Sequence, residues 1–114
     1  MRHLTVIVLA VACAACSTPG DVAGKVPFAT YSTSRSGADV AGCIAPKVAA
    51  EWPQTRVLPI TGGQRVLASG SAWGYVIAAV DVKSSNAGTA VEIRQGAGRM
   101  GVITGITDSV KACL

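Results

Sequence analysis

Four short β-type segments, separated by turns, occupy the middle of the 114-residue chain and most constrain its fold. They cover residues 56–61, 64–69, 75–83 and 89–95. Gly62-Gly63 predicts a tight turn between the first two, and the third is the longest and is rich in β-branched residues. Short strands joined by short turns predict an antiparallel meander. Pro59 indicates that its first strand lies at an edge, because proline cannot donate to a neighbouring strand.

An amphipathic helix is predicted immediately before these strands. Ser36 can accept a hydrogen bond from the backbone of Asp39, and an acidic residue in the first turn suits the helix dipole. Apolar residues then recur every four positions, which is typical of a helix with one buried side; they are Val40, Ile44, Val48 and Trp52. Pro46 removes one backbone donor and predicts a kink or a break, and Pro53 predicts the end of the helix.

A second helix is predicted after the strands. Its apolar residues are spaced by three, four and three positions, despite Gly105; they are Ile103, Ile106, Val110 and Cys113. The order of helix, about four strands and helix predicts a two-layer α+β domain with an antiparallel sheet. We expect the N-terminal and the C-terminal helix to pack on one face of that sheet, since each has an apolar stripe to bury.

The N-terminus has the pattern of an export signal. Arg2 and His3 are followed by an apolar run over residues 4–12. This run is too short to span a bilayer, which takes about twenty apolar residues. A short apolar run followed by small residues is typical of a cleaved secretory signal.

Cys13-Ala14-Ala15-Cys16 resembles the lipobox of bacterial lipoproteins, in which a cysteine is acylated and becomes the mature N-terminus. The resemblance implies that residues 1–15 are a cleaved signal peptide and that Cys16 carries fatty acyl chains such as palmitate. Ser17 then implies sorting to the cell outer membrane, with the protein held there facing the periplasm. Cys13 is a competing acylation site, and cleavage before an unmodified Cys16 would leave a soluble protein. The whole sequence is similar to small lipoproteins of Gram-negative bacteria.

The number of cysteines favours Cys16 as the modified residue. If Cys16 is acylated, Cys13 leaves with the signal, and Cys43 and Cys113 remain as a pair in an oxidising compartment. If Cys13 is acylated, three thiols follow and one has no partner. We therefore predict a Cys43–Cys113 disulfide that ties the two helices together, the alternative being two buried free thiols.

Residues 16–37 are rich in Ser, Thr, Gly and Pro and are predicted to form a flexible tether, which leaves residues 38–114 as one small α+β domain. A flexible segment of this length has a root-mean-square reach of roughly 25 Å. An alternative for part of it is an edge strand over residues 26–32, which include Phe28 and Tyr31.

Catalytic residues are scarce in the predicted mature chain. The only histidine is His3, in the signal, so a Ser-His-Asp triad, a Cys-His pair and a histidine metal site are not expected. Six acidic residues are spread along the chain; among them, Asp81 could face either solvent or Arg94 on the next strand. We therefore predict that the protein is not an enzyme and needs no cofactor or metal.

Nucleotides and nucleic acids are not predicted partners. Residues 96–101 match G-x-G-x-x-G, but a dinucleotide site also needs a parallel βαβ unit and an acidic residue about twenty positions later. Ten Lys and Arg residues against six Asp and Glu give a net charge of +4. The basic residues form no run, whereas a nucleic-acid-binding protein usually clusters them on one element.

The predicted function is a non-catalytic binding or envelope-structural role, with the membrane as a partner through the N-terminal lipid and an envelope protein as a possible second partner. Trp73, Tyr75 and Arg99 are candidate contact residues; Trp73 could equally fold back onto a sheet edge. Residues 68–75 faintly resemble one loop of the membrane-bound C-type lysozyme inhibitors, whose fold is an all-β barrel. The alternative function is an inhibitor or exclusion factor that binds a lysozyme or an outer-membrane receptor.

Overall fold

A computed structural model describes residues 22–70, 76–96 and 100–114 of the chain. The fold is α+β, with an antiparallel sheet and two helices, as the sequence predicts. The strands lie in the order β1-β5-β4-β3-β2. In chain order the elements are β1 (Ala29–Thr33), α1 (Gly37–Glu51), β2 (Arg56–Ile60), β3 (Gly63–Ser69), β4 (Val76–Ser85), β5 (Gly88–Gln95) and α2 (Met100–Lys111).

Helix α1 begins and ends where the sequence predicts. Ser36 is the N-cap, and its Oγ accepts a hydrogen bond from the backbone N–H of Asp39 at 3.2 Å. The helix continues through Pro46, so of the predicted kink or break the break does not occur. Proline removes the hydrogen bond to the carbonyl four residues earlier. That residue, Gly42, is exposed, so water can reach the carbonyl that proline leaves unpaired.

The sheet has five strands, not the four that the sequence predicts. The additional strand is β1, which pairs with β5 from Ala29↔Ile93 to Thr33↔Thr89. This strand overlaps the alternative edge strand placed at residues 26–32 and extends one residue beyond it. It corrects the assignment of the whole of 16–37 to a flexible tether. The composition of β1 does not indicate a strand, because a short edge strand needs little apolar surface of its own.

Contacts with α2, with Cys113 just after it and with β5 hold β1 and the segment that follows it. The ammonium group of Lys111 lies 5.9 Å from the centre of the Tyr31 ring, within cation–π range. Arg35 Nη1 donates to the carbonyl oxygen of Cys113 at 2.6 Å. Thr89 Oγ1 donates to the carbonyl of Arg35 at 2.7 Å. These groups are far apart in sequence, so the N-terminal strand is part of the domain through tertiary contacts.

One apolar core contains the buried stripes of both helices together with alternating residues of the sheet. Ile44 and Ile106 are among the fully buried helix residues. We call the side of the sheet that faces this core the helix face; its buried residues include Val66, Ala68, Ala78, Val80, Val82, Val91 and Ile93. The residues that alternate with these lie on the opposite face.

The predicted disulfide between Cys43 and Cys113 is present and joins α1 to the chain just after α2. Its cysteines are 70 positions apart, so it encloses most of the domain. In the chain-entropy model, closing a loop of this size lowers the conformational entropy of the unfolded chain and stabilises the fold by about 4 kcal/mol.

We therefore expect a Cys43→Ala/Cys113→Ala variant to lose about 4 kcal/mol of unfolding free energy. Urea unfolding followed by circular dichroism would measure the loss. Adding a reducing agent should destabilise the wild-type protein by a similar amount and leave the double variant unchanged. A double variant that is as stable as the oxidised protein would contradict this account.

Candidate functional site

The opposite face of the sheet has a band of charged residues across its middle. In one cross-strand row, Arg65 on β3, Asp81 on β4 and Glu92 on β5 lie next to each other. Arg94 and Lys83 lie two residues further along β5 and β4, on the same face. We call these five residues the charged cluster. The alternation of apolar and charged residues along β5 is the sequence signal that places them on one face.

Asp81 is the centre of the charged cluster. Its Oδ1 accepts from Arg65 Nε at 2.6 Å and its Oδ2 accepts from Arg65 Nη2 at 2.8 Å, which is a bidentate pair. Oδ2 also accepts from Arg94 Nη1 at 2.7 Å. The Asp81 side chain is only 1% exposed. Of the two orientations left open by the sequence, Asp81 takes the one toward Arg94, and the second partner, Arg65, was not predicted.

Glu92 extends the charged cluster toward β1. Its Oε2 accepts from Arg94 Nη2 at 2.8 Å and from Lys83 Nζ at 3.3 Å. Burial acts to raise the pKa of Glu92, but the hydrogen bonds from Arg94 and Lys83 and their positive charges outweigh it. The net pKa lies below the ordinary value of 4.5. On the other side, the hydrogen bond to Asp81 outweighs desolvation and raises the pKa of Arg65.

This geometry suits a structural role better than proton transfer. Both carboxylates of the charged cluster accept hydrogen bonds from cationic side chains, and those to Glu92 lower its pKa. A general base needs a carboxylate within reach of a substrate proton, and Asp81 is covered by two guanidinium groups. In the described part of the chain, no group of three or more His, Cys, Asp or Glu residues could hold a metal ion.

An apolar patch adjoins the charged cluster on the opposite face. It consists of Leu67, Val76 and Ala79, with the half-buried Leu58 beside them. Val22 covers this patch and is itself fully buried. The patch lies at the end of the sheet where β3 ends, β4 begins and β5 ends, which we call the arm end.

Residues 22–28, which we call the N-terminal arm, are attached to the arm end at three points. Val22 packs on the apolar patch. The carbonyl of Lys25 accepts from Arg94 Nε at 3.0 Å. The backbone N–H of Phe28 donates to the carbonyl of Ile93 at 2.6 Å and leads into β1. Arg94 thus connects the arm to the charged cluster.

A depression lies between the helices and is lined by residues that include Lys47, Glu51 and Asp108. The Glu51 carboxylate lies beside Gly105 of α2. A Cβ atom at position 105 would lie 3.3 Å from Glu51 Oε2. The glycine inside α2, which lowers helix propensity, therefore makes room for a side chain of α1.

The candidate contact residues Trp73, Tyr75 and Arg99 lie outside the described residues, as do Cys16 and the predicted signal. The G-x-G-x-x-G sequence is described only in part. Gly96 donates its backbone N–H to the carbonyl of Ile77 at 2.8 Å and continues the antiparallel sheet. The parallel βαβ unit of a dinucleotide site is not formed by the strands described, all of which pair antiparallel.

Comparison with protein-family models, with curated proteins and with solved structures gives no match. Among the described residues, no helix is both long and apolar enough to cross a membrane. The function is therefore argued from the sequence and from the geometry above.

Removing the Asp81 carboxylate should strongly destabilise the fold. In Asp81→Asn, Arg65 and Arg94 would remain close together and largely buried without their shared counter-charge, and we expect a loss of about 3 kcal/mol in unfolding free energy. Urea unfolding measures it. Asp108→Asn, on the exposed side of α2, is the matched control and should change stability by less than about 0.5 kcal/mol. Equal effects of the two substitutions would refute a central role for Asp81.

The lowered pKa of Glu92 predicts a pH-dependent contribution to stability. The folded state favours the carboxylate, so Glu92 stabilises the protein above its unfolded-state pKa. This contribution is lost as the pH falls through the lower, folded-state pKa. Compared with Glu92→Gln, the wild-type protein should be more stable at neutral pH, and the difference should disappear in strong acid.

Thermal unfolding of both proteins between neutral and strongly acidic pH tests this prediction. Glu51→Gln removes a carboxylate that has no salt bridge to any described residue, so it is the control. A stability difference between wild type and Glu92→Gln that grows as the pH falls would have the wrong sign and would contradict the assignment.

Proposed function

We propose that the protein is a lipid-anchored protein of the cell outer membrane, facing the periplasm, with a non-catalytic binding or envelope-structural role. The observation that carries the proposal is the combination of a lipobox-type N-terminus with a Cys43–Cys113 disulfide in the folded domain. Disulfides persist in oxidising compartments such as the periplasm and are rare in the cytosol. The disulfide therefore supports export, which an acylated Cys16 requires.

The position of the arm supports Cys16 as the anchor. Val22 is fully buried in the domain, and it follows Cys16 by six positions. Six residues can extend over roughly 20 Å at most. An acyl group at Cys16 would thus hold the domain next to the membrane surface rather than at the end of a long flexible segment. Several acyl chains would make this attachment stable, whereas one chain binds only weakly.

The state of the acidic residues supports a non-catalytic role. Asp81 and Glu92 are both engaged by cationic side chains. Glu51 and Asp108 line the depression between the helices, with Lys47 beside them. A binding or structural protein needs a stable surface rather than a reactive group, and the charged cluster supplies stability. The α+β fold also differs from the all-β barrel of the lysozyme inhibitors that residues 68–75 resemble, so no observation favours that alternative.

The acylation site is tested by metabolic labelling with a palmitate analogue in a Gram-negative host that expresses the full chain. We expect wild type and Cys13→Ser to incorporate the label and to fractionate with the outer membrane. Cys16→Ser should not incorporate it, because the acylated residue is gone. Labelling that persists in Cys16→Ser and disappears in Cys13→Ser would move the anchor to Cys13. An unlabelled wild-type protein would refute the lipoprotein proposal.

A further inference from the structure

The exposed side chains of the N-terminal arm have a fixed direction, because the arm is attached to the sheet on both sides of them. Val22 is buried at one end of the arm, and the Phe28 N–H binds the Ile93 carbonyl at the other. Between these points Val26 is 87% exposed, and Phe28 is 47% exposed. Large apolar side chains this exposed are unusual when they are grouped, and such groups often mark an interaction surface.

Two of the three large exposed hydrophobic residues in the described part of the chain, Val26 and Phe28, lie in the arm. The third is Val57 on β2, which is 45% exposed. It lies in the same cross-strand row as the helix-face residues Val66, Val80 and Ile93. Because β2 is the edge strand opposite to β1, Val57 does not adjoin the arm.

Positive charge accompanies these apolar side chains. Lys25 is in the arm, is exposed, and forms no salt bridge with any residue of the described part. Arg94 is not available in this way, since Asp81 and Glu92 engage it. Apolar side chains next to free cations are typical of segments that bind at the surface of an anionic membrane.

The chain itself brings this end of the domain to a membrane. Only residues 17–21 separate the proposed acylated Cys16 from the buried Val22, which lies at the arm end. A tether this short allows the arm end to approach the bilayer more closely than the turn at Asn86 and Ala87, where β4 and β5 join at the far end of the sheet. It also gives a high effective concentration of lipid at the arm, so individually weak contacts suffice.

We propose that Lys25, Val26 and Phe28 form a docking surface that rests on the headgroup region of an anionic phospholipid bilayer. The inference rests on the proposed acylation of Cys16. Val26 and Phe28 enter the interface, and Lys25 binds a lipid phosphate. The domain then has one fixed orientation, in which the turn between β4 and β5 points away from the membrane.

The test uses the full-length chain, processed and acylated in cells and reconstituted into vesicles of equal parts phosphatidylcholine and phosphatidylglycerol. An environment-sensitive fluorophore is attached to a single added cysteine, either Gly24→Cys in the arm or Ala87→Cys in the far turn; both positions are exposed. A nitroxide on the lipid acyl chains quenches fluorophores that reach the bilayer. We expect quenching at position 24 to exceed that at position 87 several-fold.

Two further variants separate docking from simple tethering. In the Gly24→Cys background, Val26→Ser/Phe28→Ser should reduce quenching toward the value at position 87. Lys25→Glu should reduce it in the mixed vesicles, and added salt should act in the same direction because it screens exposed charges. Circular dichroism and thermal unfolding confirm that each variant is folded. None of the three substituted side chains is buried, so folding should be retained.

The outcomes distinguish the docking surface from the anchor. If mass spectrometry of the purified protein shows no acyl chains, the lipoprotein proposal on which the docking rests is refuted. An acylated protein quenched equally at positions 24 and 87, or unaffected by both variants, would retain the anchor and overturn the docking surface. An arm that is not quenched in vesicles but is shielded from a water-soluble quencher in intact envelopes would assign the surface to a protein partner and overturn the lipid proposal.

Discussion

The structure depends on how a five-stranded sheet is covered when the described part of the chain supplies two long helices, both of which contribute to one core. The apolar stripes of α1 and α2 protect the helix face from water. The opposite face is protected from water in two other ways. Arginine side chains lie along its middle and neutralise the buried Asp81, and Val22 of the arm covers the apolar patch at its end. Aliphatic stems of arginine can shield a sheet surface while the guanidinium groups remain hydrogen-bonded.

Arg94 links the charged cluster to the arm. It binds Asp81 and Glu92 through its terminal nitrogens and the Lys25 carbonyl through Nε. The arm is thereby coupled to the charged cluster, and the same attachment determines where Val26 and Phe28 face solvent. A residue that stabilises the fold thus also orients the surface that we propose for membrane docking. With a lipid at Cys16, the buried Val22 would follow the anchored residue by only six positions.

Much of the fold could be predicted from local sequence patterns. The four-residue repeat of α1, the Ser36 cap and the alternation along β5 each predict an element that the structure contains. The number of cysteines that remain after the predicted processing predicted the Cys43–Cys113 pair. The strand β1 was predicted only as an alternative to the tether, because its partners are Ile93 at one end and Thr89 at the other, some sixty residues away. Pro46 was expected to disrupt α1, yet the packing of Ile44 and Val48 on either side keeps the helix continuous.

The sequence by itself determined the α+β class, the order of the elements, the cysteine pair and the expectation of export, because each is encoded by periodicity, spacing or composition over short stretches. The tertiary structure alone decided that Asp81 has two arginine partners, that Val22 covers the apolar patch of the opposite face and that Val26 and Phe28 of the arm are exposed. These features depend on strand order and cross-strand register, which bring distant residues together. Register follows from how the whole sheet packs, and no single segment contains that information.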